Sequence, residues 1–158
     1  MKKLVHIALA LAMVLGLAAC GGGERNGAPP LYGTFMVEAM AEAGAFSEEL
    51  EELDADTAFI LYRLADSGLS QEDVKECAVL RSAGATCEEG AVLVFTSGDK
   101  AETAEAALKD YVQSQIEANT DYRPEEIPKL ENAYIDRRGE SLLLVVANDL
   151  DAAKEALK

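Results

Sequence analysis

The chain has 158 residues, 29 of them acidic against 14 basic, for a formal net charge of −15. A surface this acidic repels phosphate backbones and anionic headgroups, which argues against charge-driven binding to nucleic acid or to an anionic leaflet. The single histidine is His6 and there is no tryptophan, so beyond residue 6 the chain has no imidazole for acid–base, nucleophilic or metal chemistry.

Residues 1–19 carry the three parts of a secretory leader: Lys2 and Lys3, an apolar stretch from Leu4 to Leu17, and the small residues Ala18 and Ala19. The apolar stretch is about 15 residues, short of the roughly 20 that a ~30 Å hydrocarbon core requires. Cys20-Gly21-Gly22-Gly23 follows directly, where a membrane helix would carry a basic flank. Leu17-Ala18-Ala19-Cys20 has the form of a lipobox. The expectation is cleavage between Ala19 and Cys20, with a diacylglyceryl group bearing palmitate-type chains on the Cys20 sulfur. Two acyl chains anchor stably where one holds only marginally, at about 0.8 kcal/mol per buried methylene. This places the protein at the cell membrane, lipid-anchored on the outer, extracytoplasmic face. Removing the leader takes Lys2, Lys3 and His6 but no acid, so the mature chain is more acidic still.

Residues 20–30, with Gly21 to Gly23, Gly27, Pro29 and Pro30, read as the lipidated cysteine and a spacer that is stiffened at its far end. Residues 31–158 read as one globular domain. Between Tyr32 and Ala45 the recurrence of Phe35, Met36, Met40 and Ala43 predicts an amphipathic helix. Ser47 to Asp56 is strongly acidic. A calcium loop would need a third alternating ligand and a glycine after Asp54 and Asp56, and neither is present. The spacing predicts instead a solvated segment, with Asp54 or Asp56 capping a helix over 55–66 whose apolar face is Ala58, Ile60, Leu61 and Leu64. Gly68 ends that helix.

Val74 to Arg81 is predicted as a strand, Thr86-Cys87-Glu88-Glu89 as a single helical turn or tight bend, and the β-branched run Ala91 to Phe95 as a central strand. Ser97-Gly98-Asp99 leads into a long helix over about 100–119 built on Ala104, Ala107, Leu108, Tyr111, Val112 and Ile116. Asp121 to Pro128 interrupts it. Ala133 to Asp136 and Ser141 to Val146 form a hairpin around Arg137-Arg138-Gly139-Glu140, with Gly139 where positive φ is needed. Arg137 and Arg138 read as hairpin-tip residues more readily than as an anion site. A helix from Leu150 to Leu157 closes the chain.

Val92-Leu93-Val94-Phe95 ahead of Ala107-Leu108-Lys109, and Leu143-Leu144-Val145-Val146 ahead of Ala156-Leu157-Lys158, make two strand–strand–helix units. The predicted fold class is α+β: an antiparallel sheet of about four strands, helices packed mainly on one face, and two helices before it. Cys77 and Cys87 are predicted to stay unbridged, because Cys77 lies within a strand and Cys87 in the following connection. Two thiols without histidine also fall short of a zinc site.

The chain resembles a family of short bacterial lipoproteins catalogued as domain of unknown function 4358. The resemblance rests on Cys20-Gly21-Gly22, Leu53-Asp54-Ala55-Asp56-Thr57, and Ser82 to Glu89 ahead of an apolar strand. It also rests on Asp121-Tyr122-Arg123-Pro124-Glu125 and on Gly139 before Leu142 to Val146. It implies a shared fold and a surface-lipoprotein habit, and brings no activity, cofactor or catalytic residue. Cys87 departs from the family's more usual alanine, which again speaks against a required disulfide.

No catalytic, cofactor-binding or metal-ligating residue is singled out by these patterns; Cys20, with Ala19 before it, is the one assigned site. The expected role is a non-enzymatic binding or accessory module, engaging the membrane through its lipid and an unidentified envelope protein or ligand, and no nucleic acid. The alternatives are a small carboxylate-dependent hydrolase and a weak calcium-binding surface protein using Glu48 to Asp56.

Overall fold

The computed structural model describes residues 29–158. The leader, the Ala19–Cys20 junction and nearly all of the spacer lie outside the described residues. Helix α1 spans Phe35–Glu42, strand β1 Glu51–Leu53, helix α2 Ala55–Leu61, and strands β2 and β3 Val74–Arg81 and Glu89–Phe95. Helix α3 follows over Gly98–Asn119, then α4 over Ile127–Glu131, strands β4 and β5 over Tyr134–Arg138 and Ser141–Val146, and α5 over Leu150–Ala156. No helix among the described residues is long and apolar enough to cross a membrane.

The strands form one antiparallel sheet of five, in the order β1-β2-β3-β5-β4. This corrects the expected count of about four. The additional strand is Glu51-Glu52-Leu53, inside the acidic stretch read as solvated, and it pairs with Val79 to Arg81. It is both an edge strand and a solvated segment. Its short length and charged side chains are the features that keep an exposed sheet edge from recruiting other strands.

The helices cover both faces, not mainly one. Ala91, Leu93 and Phe95 of β3, with Leu142 and Leu144 of β5, pack under α2, α3 and α4. The alternate residues Val92, Val94, Leu143 and Val145 pack under α1 and α5. Every residue of β3 and β5 is buried, which is why both read as unbroken apolar runs rather than alternating ones. The two strand–strand–helix units therefore place their helices, α3 and α5, on opposite faces.

Several local expectations shift in register. In α1 it is Val37 and Met40 that are buried, while Phe35 is 70% exposed and Ala43 is also exposed. Asp54 caps α2 by accepting from the Thr57 backbone N–H at 2.8 Å, as the spacing predicts. The helix stops at Leu61 rather than 66, buries Ala58 and Phe59, and leaves Ile60 exposed. A 3₁₀ turn over Leu64–Ser67 follows, entered through Arg63 in the left-handed region at φ +53°. Of the two forms expected for Thr86 to Glu89, the helical turn is not formed; the chain bends over 83–86, where the Ser82 hydroxyl accepts from the Gly84 and Thr86 backbone N–H groups, and Glu89 already begins β3.

Gly139 turns the β4–β5 hairpin at φ +58°, and a Cβ there would meet Leu31 Cδ2 at 3.0 Å. Gly139→Ala therefore combines left-handed backbone with a close contact and is expected to lower stability by about 1–2 kcal/mol. An unchanged urea midpoint would contradict this.

Candidate functional site

The end of the sheet where β2 leaves and β3 enters holds most of the buried polar chemistry. Successive residues of a strand point to opposite faces, and Glu88 and Glu89 stand where the chain enters β3. Glu89 is 2% exposed and lies opposite Arg81 in the β2–β3 register. Its Oε2 accepts from the Tyr111 hydroxyl at 2.7 Å and from Arg81 Nε at 3.2 Å, and its Oε1 accepts from the Tyr62 hydroxyl. The Tyr62 and Tyr111 rings meet edge to face with centroids 5.1 Å apart. The α2 end and the middle of α3 thus deliver two phenols onto one carboxylate.

Burial pushes the Glu89 pKa above the ordinary glutamate value of 4.5, against the opposing pull of Tyr62, Tyr111 and Arg81. Burial, reinforced by the Glu89 charge, raises both phenols well above their usual range. The phenols are therefore donors, not bases. The folded state holds the Glu89 proton more tightly than the unfolded chain does. This site favours folding below the ordinary glutamate pKa, and its contribution is lost as pH rises through the higher folded value. The stability lead of the wild type over Glu89→Gln is accordingly expected to be largest near pH 4 and to fall towards pH 7, read by urea melts. A lead that grows with pH would contradict this.

Above the phenols lies an open cleft of about 220 Å³, lined by Tyr62, Arg63, Ser67, Asp110, Tyr111 and Ser114. Arg63, with its left-handed backbone, is fixed at the cleft wall by Asp66 at 2.7 Å. A non-glycine residue in that region costs on the order of 1 kcal/mol. The cleft offers ring edges and small polar groups to a small guest. Glu89 is sealed beneath the rings, so it is not presented to a substrate in the way a catalytic acid must be.

A second cluster sits under α4. Glu88 is fully buried. Its Oε2 accepts from the Ser47 backbone N–H at 2.7 Å, and its Oε1 from the Ser47 hydroxyl and Lys129 Nζ, both at 2.7 Å. Lys129 also donates to Glu126 Oε1 at 3.0 Å, and Glu126 Oε2 accepts from the Cys87 backbone N–H at 2.8 Å. Burial alone would lower the Lys129 pKa, but Glu88 and Glu126 outweigh it and the net shift is upward. One ammonium thereby ties the segment after α1, the start of β3 and α4 together.

The residues singled out from sequence scatter. Glu48 accepts from the Thr86 hydroxyl at 2.6 Å, which holds its carboxyl below the usual range. Asp54 caps α2, Asp56 accepts from Gln71 at 3.1 Å, and Glu51 and Glu52 lie on β1. Among the described residues no group of three or more His, Cys, Asp or Glu is placed to hold a metal ion. Arg137 pairs with Glu105 at 3.0 Å, and Arg138 lies over the Tyr32 ring at 4.1 Å, so the hairpin arginines are committed internally. Cys77 and Cys87 are unbridged. Burial pushes the Cys77 thiol up to about 11 and raises Cys87 as well, which keeps both protonated and unreactive near neutral pH. Cys20 and Ala19 lie outside the described residues.

Sequence reasoning missed Glu88, Glu89 and Lys129. Thr86-Cys87-Glu88-Glu89 matches a capping box, and that local pattern competes with the long-range partners. The available signal was Arg81 and Glu89 equidistant from the β2–β3 turn, a spacing that places opposite charges across a hairpin.

Neither the curated proteins nor the solved structures contain a match to this chain. The family described as "Domain of unknown function (DUF4358)" matches residues 48–147, from the acidic segment before β1 to the end of β5, and the chain belongs to that family.

Proposed function

We propose that this protein is a bacterial lipoprotein, anchored by a diacylglyceryl group on Cys20 at the extracytoplasmic face of the cell membrane, and that its folded domain is a non-enzymatic binding or accessory module. The observation that carries the anchor is the Lys2-Lys3 start, the short apolar stretch and the Leu17-Ala18-Ala19-Cys20 junction in one continuous arrangement. From Cys20 the chain reaches Pro29 within about 30 Å at full extension. There the backbone is held to the β4–β5 hairpin, where Arg138 donates to the Pro30 carbonyl at 3.4 Å and the Tyr32 N–H donates to the Ser141 hydroxyl at 2.8 Å.

The binding-module reading is supported by how the buried acids are spent. Glu88, Glu89 and Glu126 each accept hydrogen bonds from neighbours within the fold. Carboxylates engaged in this way hold the surrounding elements together. What the domain offers outward is shape and negative charge.

Labelling of growing cells with an alkyne fatty acid tests the anchor. The wild type and the Cys77→Ala and Cys87→Ala variants are expected to carry the tag, and Cys20→Ala to lose it. No tag on the wild type, or a tag that survives Cys20→Ala, overturns the reading.

A further inference from the structure

The two faces of the sheet are unequally covered. Among the described residues, one carries α2, α3 and α4 and the other α1 and α5, of eight and seven residues. Helix α1 lies over β2 and β3, and α5 against β5 and α1. Beyond α1, among the described residues, the outer edge of the sheet at β1 and the adjoining side of β2 have no helix above them on this face. The result is a groove of about 410 Å³ between α1 and that strip, with Phe35, Val37, Ala78 and Leu80 along it and Glu38 and Glu52 beside it.

The groove's chemistry is specific. Phe35 is 70% exposed at its edge, although it opens a helix in which Val37 and Met40 are buried and Met36 is partly buried. Ala78 and Leu80 point from β2 into the same face and are only partly buried. Glu38 and Glu52 are exposed, one on each wall, and among the described residues no ion pair engages either of them. An apolar floor between two acidic walls is complementary to an amphipathic segment with basic flanks: the apolar side chains seat on Phe35 and Leu80, and lysines or arginines meet Glu38 and Glu52. A second copy of the chain would bring the same two acids against themselves, and an anionic lipid surface would be repelled by them.

The geometry points to this groove as the docking site for a basic amphipathic helix of a partner protein, seated beside α1 over the outer edge of the sheet. The inference names the partner chemistry for the binding module proposed above and rests on that reading.

The full chain, in neutral phosphatidylcholine nanodiscs, is given a benzophenone side chain at position 35 or, as control on a separate surface, at the exposed position 60. The probe is a synthetic Leu/Lys amphipathic helix, compared with a Ser/Lys peptide of equal charge. Irradiation is expected to give about tenfold more adduct from position 35 than from position 60, and only with the Leu/Lys probe. The double substitution Glu38→Lys and Glu52→Lys is expected to cut that adduct about tenfold. Equal adduct from both positions, adduct indifferent to the charge reversal, adduct with the Ser/Lys peptide as strong as with Leu/Lys, or cross-linking to a second copy instead of the probe overturns the inference. The mass of the Cys20 peptide, read on the same sample, separates failure of the anchor from failure of the groove.

Discussion

Replacing Lys129 with methionine is expected to destabilise the domain by about 3–5 kcal/mol, the usual cost of removing one partner from a buried ion pair. Glu88 has no solvent exposure and Glu126 very little, and Lys129 is the cation paired with both. Methionine fills the aliphatic volume of the lysine stem but leaves two carboxylates facing each other in a low dielectric without a counter-charge. The Ser47 donors remain on Glu88 and the Cys87 N–H on Glu126, so the loss stops short of unfolding a domain of ordinary stability. Urea denaturation measures it. Adding Glu126→Gln to Lys129→Met should recover part of the loss, because one of the stranded charges is then gone. A Lys129→Met variant as stable as the wild type would show that solvent, not Lys129, satisfies these acids.

The second large effect is at Glu89. Glu89→Ala removes the shared acceptor of the Tyr62 and Tyr111 hydroxyls and of Arg81 and leaves a cavity beside two ring edges. Unsatisfied buried donors cost about 1–3 kcal/mol each, with the lost packing in addition, so a loss of about 3–5 kcal/mol is expected. The combination Glu89→Leu, Tyr62→Phe and Tyr111→Phe removes donors and acceptor together and should be markedly less damaging than Glu89→Ala, because nothing but Arg81 is then left wanting a partner. Arg81 is one-third exposed and can turn to water. If the triple variant were as unstable as Glu89→Ala, packing volume rather than hydrogen bonding would be the source of the loss.

Much of the fold was legible in the sequence wherever a segment's own pattern decided its state. β2, α3 and the Gly139 hairpin follow from alternation, helical spacing and one glycine. The sheet's covering does not follow from reading Ala91 to Phe95 as a central strand and Ser141 to Val146 as a hairpin arm unless the consequence of an unbroken apolar run is also drawn. Such a run has no solvent face and needs helices on both sides. β1 was hidden because an edge strand of Glu51-Glu52-Leu53 has the composition of a solvated loop; only its pairing with Val79 to Arg81 distinguishes it.

The buried polar clusters were the least legible part. A charged residue in a sequence reads as exposed, since burial is rare without a partner. The partners of Glu88 are Ser47 and Lys129, both 41 positions away. No local pattern carries that information. The proposed anchor has a legible pattern for the opposite reason: it rests on contiguous residues, Leu17-Ala18-Ala19-Cys20.

The proposed lipid anchor is tested most directly by the state of Cys20 in the living cell. Mass spectrometry of the native protein is expected to find a chain that starts at Cys20, with a diacylglyceryl thioether on its sulfur. A free thiol at Cys20, or residues 1–19 still attached, would contradict it.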